Sequence, residues 1–181
     1  MMQAPDTMWV FGYGSLLWNP GFEIAEQAVA RLPGYARSFC MRSIHHRGTE
    51  KDPGLVLALD EAEGASCQGL ALRVASGQEA KTLAYLRERE LISSAYLERD
   101  LNIRLSDGRQ VTAVTYVIDA DHVQYCGGLP LEEQAHIIAG AHGGLGANSE
   151  YLFNTASHLH DLGLADDDLD WLAMRVKDLI A

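Results

Sequence analysis

The chain has 181 residues, of which 48% are hydrophobic, 22% are charged and only five are prolines. This apolar content is enough to bury a core, which excludes disorder as a description of the whole chain. The length predicts a single domain over residues 1–181. Fourteen Lys and Arg against 25 Asp and Glu give a formal net charge of −11. Because a field of this sign repels phosphate backbones, no nucleic-acid partner is expected.

The cysteines and the hydropathy pattern indicate where such a chain works. Cys40, Cys67 and Cys126 are widely spaced and odd in number, whereas a secreted disulfide framework usually shows more cysteines, in pairs. No window approaches the run of about 18 apolar residues that crosses a bilayer. The first residues contain an acidic side chain and lack the positive region of a signal peptide. We therefore expect a soluble, cytoplasmic monomer that does not associate with membranes.

The predicted strands come before most of the predicted helices. Short apolar or β-branched runs predict strands over residues 8–12, 36–42, 55–59, 68–74 and 111–118, with an acidic turn over 60–64. Helical patterns cover residues 78–99, 131–141 and 150–162, and an acidic start suits a last helix over 167–179. This order lacks regular βαβ alternation. It favours the α+β class, with an antiparallel sheet or a small barrel.

A glycine-rich loop follows the first predicted strand, in the segment FGYGSLLW. Glycines on both sides of Tyr13 allow a tight turn and a close approach of the backbone to a ligand. Successive N–H groups in such a turn can bind an anion. The spacing fits neither a Walker loop nor a dinucleotide fingerprint, and Ser15 lacks the Gly-x-Ser-x-Gly context of a hydrolase nucleophile. An ordinary hairpin turn is the alternative interpretation.

One acidic residue falls on the apolar stripe of the helix predicted over residues 78–99. The stripe, at steps of three and four, consists of Leu83, Leu86, Glu90, Ser93 and Leu97. Partial burial among apolar neighbours raises the pKa of a carboxyl group toward the range in which it works as a general base. The alternative is a structural glutamate paired with Arg87 or Arg89.

The glycine-rich segment over residues 140–151 has no decisive chemical signature. We expect Asn148 or Ser149 to cap the helix that follows. The segment either lines a pocket or only connects two helices.

The histidines and cysteines do not form a recognisable ligand set. His45 and His46 are adjacent, and His158 and His160 are two apart in a predicted helix, so each pair diverges. No local zinc-ligand pair is present either. We therefore expect no metal and no cofactor.

Four segments of the chain, taken together, are similar to one family. They are FGYGSLLW, then RSIHHRGT followed by PGLVLALD, then YLRERE with a tyrosine six residues after its last Glu, and finally GGLGANSEYL. In this order, over about residues 8–162, they resemble the ChaC family of glutathione-specific γ-glutamylcyclotransferases. The acidic segment at about 166–181 has no counterpart that the resemblance identifies.

The resemblance implies a fold and an activity. The fold is a small, mostly antiparallel β-barrel with surrounding helices. The activity cleaves the γ-glutamyl bond of glutathione, the small-molecule partner, and releases 5-oxoproline and cysteinylglycine without a metal or a cofactor. Glu90 falls at the family's catalytic acid/base. The residues that hold the γ-glutamyl moiety correspond to Gly12, Tyr13, Gly14, Ser15, Leu16 and Leu17.

The residues leave several alternatives open. The same cyclisation on other γ-glutamyl amino acids or γ-glutamylamines is one, a non-catalytic ligand-binding relative is another, and a metal-dependent hydrolase is a third. The leaving group stays open because Leu72 stands where family members often have a tyrosine. Arg42 and Arg47 are candidates to bind the carboxylate of the cysteinylglycine half, with a surface ion pair as the alternative.

Overall fold

The computed structural model describes residues 7–91, 95–164 and 166–181. The strands in these ranges are β1 (Trp9–Gly12), β2 (Ile24–Ser43), β3 (Gly54–Val74), β4 (Tyr96–Leu105), β5 (Gln110–Ile118), β6 (His142–Gly143) and β7 (Gly146–Ala147). The helices are α1 (Glu79–Glu90), α2 (Leu131–Gly140), α3 (Asn148–Asp161) and α4 (Asp167–Ile180).

The first five strands form a closed barrel in the order β1-β3-β2-β4-β5. The pairings β1–β3, β2–β4 and β4–β5 are antiparallel, and β1–β5 is parallel. Large apolar side chains with almost no exposure stabilise the barrel by leaving water; examples are Phe11, Leu32, Leu59, Leu72, Ile103 and Leu105. The predicted α+β class, with a small and mostly antiparallel barrel, is confirmed.

Two of the strands are longer than the sequence pattern predicts. β2 begins at Ile24, well before the predicted start at residue 36, and β3 runs without a break through the acidic turn predicted over residues 60–64. That prediction was wrong because this part of β3 alternates between exposed and half-buried positions, which suit charged side chains. Within this part of β3, Gly64 has a φ of 82°, a conformation that favours glycine.

The helix predicted over residues 78–99 is shorter in the structure. α1 ends at Glu90, and Leu97 lies in β4 rather than on the helix. Leu83 and Leu86 share α1 with Glu90, while Ser93 lies outside the described residues. The prediction failed because β4 is held by a continuous antiparallel ladder with β5, which overrides the local helical spacing.

The chain folds into two compact units. One comprises the chain up to Arg37 together with Leu59–Asp119, and the other comprises Ser38–Ala58 and Ala120–Ala181. β2 and β3 each run through both units. The second unit packs α2, α3 and α4 against one another around buried apolar residues such as Ile138, Leu152, Leu159, Leu172 and Val176. The single-domain assignment over residues 1–181 stays a prediction. In the described parts of the chain, no helix is both long enough and apolar enough to cross a bilayer.

The segment over residues 140–151 forms the β6–β7 hairpin and then enters α3. Neither Asn148 nor Ser149 caps the helix, since the N-cap position is Ala147 and no side chain accepts a hydrogen bond there. The fully buried Asn148 side chain instead accepts from the N–H of Leu55 and donates to its carbonyl, both at 2.8 Å. The capping prediction was wrong because strand β3 satisfies this amide.

Candidate active site

The loop over residues 12–17 connects β1 to a 3₁₀ turn at Ser15–Leu17. The N–H of Leu17 donates to the carbonyl of Gly14 at 2.9 Å, and the carbonyl of Ser15 accepts from Asn19 at 2.7 Å. β1 pairs with β3 and β5 rather than with β2, the next strand along the chain. The hairpin-turn interpretation is therefore wrong.

Most side chains of this loop are used inside the fold. Tyr13, Leu16 and Leu17 are buried, and the Tyr13 hydroxyl donates to the carbonyl of Tyr116 at 2.7 Å. Ser15 is half-buried, and its hydroxyl accepts from Arg89 at 2.8 Å. The backbone of the loop is therefore the part that a ligand would contact.

Two glycines let the loop approach its neighbours closely. A Cβ added at Gly12 would lie 3.2 Å from the Cβ of Leu16 and 3.6 Å from Cδ1 of Leu72. Gly21 has a φ of 77°, and a Cβ there would overlap the Tyr85 hydroxyl. The loop and the residues just after it are thereby packed against β3 at one end and α1 at the other.

Glu90 is the last residue of α1, and only 15% of its side chain is exposed. Burial raises the pKa of Glu90, and the positive charge of Arg89 partly offsets that rise. The Nε of Arg89 lies 3.4 Å from Oε1 of Glu90. The predicted burial is confirmed, and so is an ion pair with Arg89. Its catalytic role stays a prediction at this point.

Arg89 joins Glu90 to the 12–17 loop, a connection that the sequence pattern did not reveal. Only 16% of its side chain is exposed. Its other acceptors are Ser15 Oγ at 2.8 Å, the carbonyls of Asn19 at 2.6 Å and Pro20 at 3.1 Å, and the Tyr85 hydroxyl at 3.1 Å. One guanidinium thus contacts both the candidate base and the candidate substrate loop.

A second carboxylate of the first unit, that of Glu98, has a pKa shifted in the opposite direction from that of Glu90. Glu98 and Tyr116 face each other across β4 and β5, and the Tyr116 hydroxyl donates to Glu98 Oε1 at 2.9 Å. Arg87 donates to both Glu98 oxygens, at 3.0 and 2.9 Å, and these bonds hold the pKa of Glu98 below its usual value. Burial and the bond to Glu98 raise the pKa of Tyr116, so the phenol stays neutral. Among described carboxylates with a shifted pKa, only that of Glu90 is raised.

Arg42 and Arg47, the candidates for the cysteinylglycine half, both lie in the second unit. Arg47 has only 6% of its side chain exposed, donates to the Ala147 carbonyl at 3.0 Å and lies 3.7 Å from Glu150. The backbone of Arg42 pairs with Gln124. Their assignment to the substrate stays a prediction.

The described residues hold no cluster of three or more His, Cys, Asp or Glu side chains with the geometry of a metal site. Cys40 and Cys67 are buried and Cys126 is half-buried, as expected for small core residues.

The fold and the family follow from comparison with known proteins. A solved structure of a yeast γ-glutamylcyclotransferase specific to glutathione superposes with a TM-score of 0.85 over 96% of each chain, at 23% identity. That likeness defines the fold class as γ-glutamylcyclotransferase-like. The model of the ChaC-like protein family matches residues 8–179, and the chain belongs to this family. The match includes α4, which the sequence resemblance had left without a counterpart.

Curated relatives align along most of the chain. The glutathione-specific γ-glutamylcyclotransferase of Escherichia coli (strain K12) is 40% identical over 96% of this chain and 74% of that protein. γ-Glutamylcyclotransferase 2-1 of Arabidopsis thaliana is 36% identical over 94% of this chain and 82% of that protein.

Proposed function

We propose that this protein is a glutathione-specific γ-glutamylcyclotransferase, a lyase that converts glutathione into 5-oxoproline and cysteinylglycine. Its membership of the ChaC-like family and its 40% identity to a relative with that name support the proposal. The structural observation that carries it is the buried Glu90 carboxylate, which has a raised pKa and is joined through Arg89 to the 12–17 loop.

The reaction needs one proton carrier and a folded substrate. The neutral α-amine of the γ-glutamyl moiety attacks its own γ-carbonyl carbon, forming the C–N bond of a five-membered lactam. The bond from that carbon to the cysteinyl nitrogen then breaks. One proton moves from the attacking nitrogen to the leaving nitrogen, and no water is consumed. Because the attack is intramolecular, the protein mainly has to hold the reactive conformer.

Glu90 has the properties of this proton carrier. A carboxylate with a raised pKa can accept the proton from the attacking amine and then deliver it to the departing nitrogen. Glu98 is unsuited to the task, because its bonds to Arg87 and Tyr116 stabilise its charged form. The two environments favour Glu90 over Glu98 for the acid/base role.

The 12–17 loop has the properties of the γ-glutamyl site. The first N–H groups of a helical turn have no acceptor within it, so those of Ser15 and Leu16 are the donors that a bound carboxylate or developing oxyanion would use. The buried side chains of Tyr13, Leu16 and Leu17 fix the turn rather than contact the substrate. This division of roles keeps Gly12, Tyr13, Gly14, Ser15, Leu16 and Leu17 together as the proposed substrate-binding segment.

We place the enzyme in the cytoplasm, as a monomer that uses no metal or cofactor. The chemistry written above needs only a carboxylate and backbone donors. Glutathione is the compound that keeps cytosolic thiols reduced, so its degradation belongs in that compartment. Light scattering coupled to gel filtration tests the monomer, and a dimer mass would contradict it.

The decisive experiment measures 5-oxoproline from purified protein incubated with glutathione and, separately, with γ-glutamyl-alanine. We expect glutathione to be turned over with the higher kcat/KM. Turnover of γ-glutamyl-alanine alone would assign the protein to other γ-glutamyl substrates. A folded protein that releases 5-oxoproline from neither would contradict cyclotransferase activity.

The Glu90→Gln variant tests the proton carrier. Removing a general acid/base typically lowers kcat by about 10²–10⁴-fold, and we expect a loss in that range while calorimetry still detects glutathione binding. Glu88→Gln is the matched control, because Glu88 is an exposed glutamate on the same helix. Equal turnover by the two variants would show that Glu90 is not the base.

A further inference from the structure

We propose that Arg89 is a positioning residue for this reaction. Its guanidinium fixes the Ser15 hydroxyl and the chain that follows it relative to the Glu90 carboxylate, and it places a positive charge beside that carboxylate. The inference rests on the proposed function, and it adds a residue that acts through Glu90 and the 12–17 loop rather than on the substrate.

All three nitrogens of the Arg89 guanidinium have partners. Nε faces Oε1 of Glu90, Nη2 donates to Ser15 Oγ, and Nη1 lies between 2.6 and 3.1 Å from its three acceptors. These acceptors lie in α1 and in the segment over residues 15–20, some 70 residues earlier in the chain. A lysine, with one compact charge on a flexible stem, cannot satisfy this set of partners at once.

A second contact, made by Tyr85, also holds the chain that follows the loop against α1 and supports the positioning role of Arg89. Tyr85 lies one helical turn before Arg89, and its hydroxyl accepts from Arg89 at 3.1 Å. It occupies the space that Gly21 leaves by having no side chain. The chain from Ser15 to Gly21 is thus seated on α1 through Arg89 and Tyr85, so a shift of Arg89 would move the loop relative to Glu90.

The positive charge of Arg89 also affects the protonation of the Glu90 carboxyl group. A buried carboxylate without a nearby positive charge takes up a proton to avoid the cost of desolvation. Arg89 is the group that lowers the pKa of Glu90 against burial. Tyr116 on β5 stays a neutral phenol, and the negative charge of Glu98 on β4 is compensated by Arg87. Arg89 therefore favours the ionised form of Glu90, which is the form that acts as a base.

The test compares Arg89→Gln with Arg89→Lys across a pH series. Arg89→Gln removes the charge, so the pKa of Glu90 rises further and the acidic limb of kcat against pH moves to higher pH. Arg89→Lys keeps the charge and loses the fork, so the limb stays near that of the wild type while KM rises. Because misplacing a catalytic constellation by about 1 Å can cost about 10²-fold, we expect kcat/KM at neutral pH to fall about 10- to 100-fold in Arg89→Gln.

Arg104→Gln is the matched control, because it removes an exposed arginine from β4 of the same unit. An acidic limb that shifts equally in Arg89→Gln and Arg104→Gln would overturn the inference, and so would an Arg89→Lys variant with the wild-type KM. If Arg89→Gln does not fold, the pair Arg89→Lys and Ser15→Ala serves instead. Their effects on KM should then be non-additive, because both remove the same hydrogen bond.

A direct measurement separates this inference from the proposed function. The pKa of Glu90 is followed by carbon-13 NMR of its carboxyl group, in wild type and Arg89→Gln without substrate. A higher pKa in Arg89→Gln supports the charge argument even if the wild type releases no 5-oxoproline, and an unchanged pKa overturns it. Failure of the wild type with glutathione counts against the proposed function alone.

Discussion

Glu90 sits where an ionised carboxylate costs the protein stability. Burial raises its pKa in the folded state, whereas in the unfolded chain the group titrates near the usual glutamate value. The folded state therefore prefers the protonated form. This preference contributes stability that is fully present below the unfolded pKa and is lost as the pH rises through the folded pKa. The burial of Glu90 thus lowers the stability of the protein at neutral and alkaline pH.

We therefore expect Glu90→Gln to unfold at a higher urea concentration than the wild type at pH 8. The difference should shrink as the pH falls and disappear below about pH 4, where both forms carry a neutral group. Arg89 retains its other acceptors in the variant, so it is not left isolated. Urea unfolding at a series of pH values measures the effect, with Glu88→Gln as the exposed control. A variant less stable than the wild type at pH 8 would refute the linkage.

The sequence identified Glu90 and named Arg89 as one possible partner, but it did not reveal that Arg89 also contacts the loop. Glu90 stood out because apolar residues precede it at helical spacing, and the part of that pattern formed by Leu83 and Leu86 holds in α1. Glu90 is buried as the last residue of α1, whereas the prediction had placed it within an apolar stripe that continues along a longer helix. The contacts of Arg89 with Ser15 and Asn19 have no such signature, because these residues lie about 70 positions away and meet Arg89 only in the fold.

At the scale of elements, one amide side chain connects α3 to a strand within the second unit. Asn148 bonds both the N–H and the carbonyl of Leu55, as a neighbouring strand would do. The Tyr151 hydroxyl, one turn further along α3, accepts from the N–H of Leu57 at 3.1 Å. The helix thereby supplies hydrogen-bond partners for the backbone of β3 at Leu55 and Leu57.

Asn148→Ala should destabilise the protein by about 2–4 kcal/mol, because it leaves two buried backbone groups without partners at about 1–3 kcal/mol each. Thermal or urea unfolding measures the loss. Ser149→Ala, at the next and less buried position, should stay within about 0.5 kcal/mol of the wild type. An Asn148→Ala variant as stable as the Ser149→Ala variant would show that water replaces these bonds.

The class of each element was more predictable than its ends. The strand patterns at residues 8–12 and 111–118 correspond closely to β1 and β5, because short β-branched and aromatic runs carry their own signal. The start of β2 and the acidic middle of β3 depend on pairing with distant strands, so local composition misplaced them. In the same way, the antiparallel ladder between β4 and β5 places Leu97 in β4 instead of in the predicted helix.

At the scale of the whole molecule, the net charge of −11 opposes the proposed substrate. Glutathione is itself an anion, so the mean field of the protein slows its approach. Binding must then come from local groups, which act at short range and are screened less than the exposed charges. The N–H groups of the 12–17 loop have this character, and Arg89 adds a positive charge beside them.

Salt should therefore increase the efficiency of this enzyme. Raising the ionic strength from about 10 mM to about 150 mM shortens the screening length from about 30 Å to about 8 Å, which weakens the repulsion between glutathione and the acidic surface. We expect kcat/KM for glutathione to rise by a factor of a few through a lower KM, with kcat unchanged because Glu90 and Arg89 are largely shielded from solvent. Initial rates of 5-oxoproline release measure the effect, and sucrose at matched osmolality serves as the uncharged control. A kcat/KM that falls with salt would mean that local positive charge, rather than the net charge of the molecule, governs the approach of the substrate.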